Sequence, residues 1–171
     1  DMVDPANLRR SFPNKIQLLA LDFDGVLTDN RVWTDQNGVE SVASNRSDSH
    51  GLELLRTHTQ IDVVVISKEI NPVVTARCQK LRLRVIQSVQ DKKEAIKKLI
   101  DGKSMDPDSI IFMGNDVNDL PAFEIAGYSV APADSHPEVK RRADLVLSMN
   151  GGQGAVRELC DIILAHLEIK Y

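Results

Sequence analysis

Short apolar runs recur along the chain, and after most of them apolar residues return at every third or fourth position. The runs at 16–21, 61–66 and 110–113 are nearly continuous in Leu, Ile, Val, Ala, Phe and Met, the pattern of strands buried on both faces. Shorter runs at 84–86, 128–130 and 145–147 predict three more strands, with the last two at the edge of the sheet. A helix is expected from Asp48 or Ser49, carrying Leu52 and Leu55, and another is capped by Asn71, opened by Pro72 and faced by Val74, Cys78 and Leu81. Asp91 and Glu94 have capping-box spacing at the start of a third helix, which Gly102 closes. Further helices are expected from Leu120 to Gly127, from His136, and through Val156, Leu159, Cys160, Ile163, Leu164 and Leu167.

Strand and helix therefore alternate, which predicts an α/β, three-layer, doubly wound and mainly parallel sheet. Residues 30–45 depart from the alternation. Asn37 and Gly38 stand between two strand-like runs, a strong β-hairpin signal.

At 171 residues and 42% hydrophobic, the chain can bury one core. One domain, 16–171, is expected, with 1–15 as an N-terminal arm or linker rich in Arg and Pro. A net charge of −4 without a basic stripe argues against nucleic acid and for a small ligand. No apolar run reaches the roughly 20 residues needed to span a membrane, and no leader pattern opens the chain, so a cytoplasmic protein is expected. Cys78 and Cys160 lie among helix-periodic apolar residues and read as buried thiols.

The candidate chemistry begins where the first strand ends. Asp22 and Asp24, with Gly25 behind them, would project into the crevice at the carboxyl end of a parallel sheet. Two acids so close repel unless a cation joins them, and Mg²⁺ with oxygen ligands is the usual solution. Ser67 follows the second strand, Lys92 opens the helix after the third, and Asn115, Asp116 and Asp119 follow the fourth. These groups suit a phosphate site with a metal.

Asp22-Phe-Asp-Gly-Val-Leu-Thr28 resembles the first motif of the haloacid dehalogenase-like phosphatases, and the other parts fall in that family's order. The resemblance implies that Asp22 is the nucleophile and Asp24 the general acid/base. Ser67 and Lys92 would grip the phosphoryl oxygens, and Asp22, the Asp24 carbonyl and Asp116 would hold Mg²⁺. Asp119 would orient Lys92 or a metal-bound water, with Asn115 supporting the same loop. About 30 residues separate the first motif from the second strand, enough for the hairpin and one helix but not for a cap domain.

The match is therefore to the capless branch, similar to the phosphatases of 3-deoxy-octulosonate 8-phosphate and of nine-carbon keto-sugar-acid 9-phosphates. That likeness implies a homotetramer built through the hairpin, each site covered by a neighbour, and substrate contacts from Asn45, Asp48, Ser49, Glu69 and Arg77. His50 and His136 are further candidates, although surface or capping roles suit them better. The octulosonate branch has Thr-Gly-Arg and Arg-Asp-Gly where this chain has Ser67-Lys68-Glu69 and Ser47-Asp48-Ser49, and an Arg where it has Glu53, which turns the expectation toward nine-carbon acids. A similar domain is fused behind cytidylyltransferases that activate sialic acids. An arm at 1–15 fits such a linker, and the second reading is a weakly active module that tetramerises such a fused enzyme, with Lys68 crowding the phosphate loop.

Overall fold

In the computed structural model the described residues are 10–171. In chain order they form β1 (Leu18–Leu21), the hairpin β2 (Trp33–Thr34) and β3 (Glu40–Ser41), α1 (Arg46–His58), β4 (Asp62–Ile66), α2 (Pro72–Lys80), β5 (Arg84–Ile86) and α3 (Lys92–Lys103). There follow β6 (Ile110–Met113), α4 (Leu120–Ile125), β7 (Tyr128–Ala131), α5 (Pro137–Arg142), β8 (Leu145–Val146) and α6 (Ala155–His166). Six strands make one parallel sheet in the order β5-β4-β1-β6-β7-β8.

Alternation along β1 divides the core into two layers. Leu19 and Leu21 pack with α1, α2 and α6, while Leu18 and Ala20 pack with α3, α4 and α5. Every residue of β1 is buried, so the strand reads as an unbroken apolar run. The chain builds outward from β1 through β4 to β5, then crosses back to β6. The carboxyl end of β1 is thus the switch point, where such sheets open a crevice. Among the described residues no helix is long and apolar enough to cross a membrane.

Four local expectations are corrected. Helix α1 starts at Arg46, before Asp48, because the Asn45 side chain accepts from the N–H of Ser47 and of Asp48 and caps the first turn. Helix α3 runs through Gly102 and stops at Ser104, whose left-handed backbone (φ +49°) breaks the helical path. Asp91 caps that helix by accepting from Glu94 N–H, which is half of a capping box. Strand β7 lies inside the sheet, between β6 and β8, and all four of its residues are buried; the edges are β5 and β8.

Residues 1–9 of the expected arm lie outside the described residues. At its described end, the Arg10 guanidinium donates to the carbonyls of Ala126 and Gly127, and Phe12 packs edge-on against Tyr128 and His166. Both thiols are buried and free.

Helix α6 opens on Gly154, which offers no capping side chain. Asp48, fully buried in the first turn of α1, supplies the cap from another helix, its Oδ1 accepting from Arg157 N–H at 3.0 Å. Asp48→Ala should cost about 1–2 kcal/mol in urea denaturation through loss of that cap, with Asp48→Asn retaining part of it; no loss in the alanine variant would refute the role.

Candidate active site

The loop after β1 turns sharply enough to aim two carboxylates the same way. The N–H groups of Val26 and Leu27 both donate to the Phe23 carbonyl, and Gly25 takes a left-handed backbone (φ +82°). A Cβ on Gly25 would stand 2.0 Å from the Asn115 amide, so glycine is required by contact as well as by conformation.

Asp22 is 7% exposed, and its Oδ1 accepts from Phe23 N–H at 2.7 Å and from the Lys92 ammonium at 2.9 Å. Lys92, the first residue of α3, is 4% exposed and also reaches Asp119 Oδ1 at 2.7 Å. Asp119 uses its other oxygen to accept from Asn115 N–H (2.9 Å) and Asp116 N–H (3.2 Å). One carboxylate therefore positions both the ammonium and the loop after β6. Gly114 makes room for it, since a Cβ there would meet the Asp119 side chain at 2.6 Å.

The electrostatics follow from burial and these pairings. Burial and the nearby Asp119 push Asp22 up to about 7, against the pull of Lys92. Burial alone would lower Lys92, but Asp22 and Asp119 outweigh it and its pKa is raised. Asp24 is half-buried and raised by desolvation and then by Glu69, with Glu40 adding to the shift and Lys92 opposing it. A carboxyl so raised holds a proton more readily.

Asn115 sets the outer atom of its amide 3.1 Å from Asp22 Oδ2 and 2.9 Å from the Asp24 carbonyl oxygen. With nitrogen there, the amide makes two hydrogen bonds. With oxygen there, three oxygens converge at the spacing of neighbouring ligands on a small octahedral ion, about 3 Å for metal–oxygen bonds near 2.1 Å. The donor set therefore fits a hard divalent cation. Among the described residues no three His, Cys, Asp or Glu side chains form such a group, so an amide and a carbonyl complete this one. Asp116 is exposed at the cavity wall and spends Oδ1 on Val117 N–H. The residue drawn against Asp22 and Asp24 is Asn115.

A cavity of about 380 Å³ opens over these groups. Ser67, 1% exposed, lines it, and so do Lys68, Glu69 and Asn118. The Ser67 hydroxyl oxygen accepts from Glu69 N–H.

Of the expected substrate residues, only Glu69 borders this cavity, with one carboxylate oxygen held by the N–H groups of Ile70 and Asn71. Asn45 is occupied in capping α1, and Asp48 is buried under α6. Ser49 accepts from the Arg77 guanidinium at 2.8 Å, and both line a separate groove between α1 and α2. These four do not line the cavity of their own chain: Asn45 and Asp48 are spent on helix ends, and Ser49 and Arg77 face the groove between α1 and α2. His136 caps α5 through Nδ1, and His50 faces Glu53. Sequence reasoning passed over Asn30 and Ile70, which border the cavity; the signal available was only their position beside motif residues.

The sequence profile of the haloacid dehalogenase-like hydrolases matches residues 52–159. The 3-deoxy-D-manno-octulosonate 8-phosphate phosphatase of Escherichia coli K12 is 38% identical over 150 residues, covering 87% of this chain and 79% of that protein. The solved structure of the Yersinia pestis 3-deoxy-D-manno-octulosonate 8-phosphate phosphatase is 34% identical and superposes with a TM-score of 0.87 over 97% of this chain and 89% of that one. A Moraxella catarrhalis phosphatase of the same name, solved with a magnesium ion, a phosphate ion and KDO, gives 0.85 at 28% identity, over 90% of this chain and 88% of its own. The chain belongs to the haloacid dehalogenase-like hydrolases. Within that family it is a phosphatase.

Proposed function

We propose that this phosphatase is Mg²⁺-dependent, works through an aspartyl-phosphate, and removes the terminal phosphate of an eight- or nine-carbon 2-keto-3-deoxy sugar acid. The observation that carries the reading is Asp22, one oxygen pinned by Phe23 N–H and Lys92 and the residue opening on a cavity that Asp24 shares. Asp22 attacks phosphorus, and the bond to the sugar oxygen breaks as Asp24 donates a proton to it. Asp24 then takes a proton from the water that cleaves the aspartyl-phosphate. Its raised pKa supports the donor role.

Lys92 has three N–H donors and spends two on Asp22 and Asp119, which leaves one for a phosphoryl oxygen. The Ser67 hydroxyl, accepting from Glu69 N–H, keeps its own proton free to donate. A bound Mg²⁺ would neutralise the carboxylate and phosphoryl charges as they approach. Asp22, the Asp24 carbonyl and Asn115 would hold it, with Asp116 at the wall.

The eight- or nine-carbon substrate class draws its support from the similar octulosonate 8-phosphate phosphatases. Assembly into a tetramer draws its support from the hairpin, where Val32, Trp33 and Val39 are 52%, 67% and 62% exposed. An isolated two-stranded ribbon carrying such groups is stabilised by burial against another copy.

Phosphate release with Mg²⁺ should favour a keto-sugar-acid phosphate over ribose 5-phosphate by about a hundredfold in kcat/KM. Asp22→Asn should lower turnover by about 10⁴-fold or more and accumulate no phosphoenzyme. Full activity in that variant would remove Asp22 as nucleophile, and equal rates across the panel would remove the substrate class while sparing the chemistry.

Calorimetric titration should find Mg²⁺ binding weakened about tenfold or more in Asn115→Ala and less in Asp116→Ala; the reverse order would return the ligand role to Asp116. Light scattering should give four copies for the unaltered chain and one for Trp33→Glu, whereas a tetrameric variant would exclude the hairpin as the contact.

A further inference from the structure

The turn that carries Asp24 is held from behind by a stretch outside the cavity. Between β8 and α6 the chain reads Asn150-Gly-Gly-Gln-Gly154. Gly152 N–H donates to the Val26 carbonyl at 3.0 Å, and Gly151 N–H donates to Asp134 Oδ1 at 3.0 Å. Both glycines lie against the turn backbone to backbone. A Cβ on Gly151 would stand 1.8 Å from the Gly25 carbonyl oxygen, and one on Gly152 would stand 2.3 Å from the carbonyl carbon of Thr28. Gly152 is left-handed (φ +66°) and Gly151 is not, so at 151 it is space alone that requires glycine.

Gly25 is thus enclosed by two distant segments, the Asn115 amide that fills the place of its missing Cβ and the Gly151 backbone at its carbonyl. Within the turn, the fully buried Thr28 accepts through Oγ1 from the N–H of Gly25 and of Asn30. The loop after β7 ties the two outer supports together, because Asp134 holds Gly151 while His136 N–H donates to the Asn115 carbonyl. Among the described residues no hydrogen bond holds the Asp24 carboxyl itself. Its direction is set by the backbone that carries it.

We infer that Gly151 and Gly152 are positioning residues for the proton transfer: the backbone surface they present fixes the turn at 23–28, and that turn aims the Asp24 carboxyl at the leaving oxygen. The inference rests on the acid role proposed above for Asp24. A misplacement of about 1 Å is enough to cost roughly a hundredfold in rate where a catalytic group must meet the reacting atom. Neither glycine leaves room for one added carbon. Asp22 is anchored separately, its N–H on the Met113 carbonyl and its carboxylate on Lys92. A displaced turn therefore costs the proton donor before it costs the nucleophile.

Two esters, measured with Mg²⁺, isolate the proton donor. The sugar oxygen of 3-deoxy-octulosonate 8-phosphate leaves readily only when protonated, whereas 4-nitrophenolate leaves its phosphate ester as a stable anion. Asp24→Asn should lower kcat/KM on the sugar ester about a hundredfold more than on the aryl ester. Gly151→Ala should reproduce that selective loss at about tenfold or more. Asp134→Ala, which adds no bulk and only frees the Gly151 N–H, should move the same ratio by about threefold. Gly154→Ala is strained too, at φ +110°, but the nearest atoms its Cβ would meet belong to the Met149 side chain, and it should keep the ratio within about twofold. Equal losses on both esters in Gly151→Ala overturn the inference, as does the same selective loss in Gly154→Ala. Where Gly151→Ala yields no folded protein, an unchanged ratio in Asp134→Ala overturns it. Asp24→Asn without a selective loss removes the proposed acid role and this inference together. A selective loss in Asp24→Asn with none in Gly151→Ala removes this inference alone.

Discussion

Lys92 is almost wholly withdrawn from water, and a buried ammonium is tolerable only when its charge is matched at bonding distance. Asp22 and Asp119 supply that match at 2.9 and 2.7 Å. The three residues belong to the end of β1, the start of α3 and the loop after β6, so the pairing ties together segments that the chain makes at separate times. Removing one member of such a group typically costs 3–5 kcal/mol, because the remaining charge stays buried without its partner. The same expense makes the arrangement specific: an altered register of β1 or α3 would strand a charge in the core.

The rest of the site is built outward from that triad. Asp119 spends its second oxygen on the amides of Asn115 and Asp116, which turns the loop back over β1 and brings the Asn115 amide against Asp22 and Asp24. Glycines stand where those groups approach the backbone, at Gly25 and Gly114, because a Cβ would occupy the same space. The fold's contribution is a parallel sheet whose central strand ends in acids, with the strands on either side delivering Ser67 and the loop at Asn115. Capping reaches across the structure in the same manner, as Asp48 of α1 closes the first turn of α6.

Much of this was legible along the chain. Continuous apolar runs that stop at polar residues identify buried parallel strands and the edge where ligands gather, so Asp22, Asp24, Ser67, Lys92 and Asp119 were readable as one constellation before any coordinates. The hairpin was readable because Asn37 and Gly38 have the turn chemistry that such connections demand. Other positions were not. Asn45, Asp48, Ser49 and Arg77 were expected around the substrate, yet Asn45 is used as a helix cap, Asp48 as a remote cap, and Ser49 and Arg77 meet in a groove between two helices. The position of β7 inside the sheet was equally hidden, since a short apolar strand reads alike whether its neighbour on one side is another strand or water.

The sequence by itself determined the order and kind of elements, the parallel α/β architecture, and which residue types stand at the strand ends, because periodicity, capping and turn formation act over a few residues and leave a local trace. Only the tertiary structure decided that Asn115, and not Asp116, faces the two acids of the first loop. It also decided that Lys68 and Glu69 line the catalytic cavity, while the groove that holds Arg77 lies elsewhere. The direction of a side chain leaving a turn depends on the helices and strands that pack around that turn, and those come from distant parts of the chain.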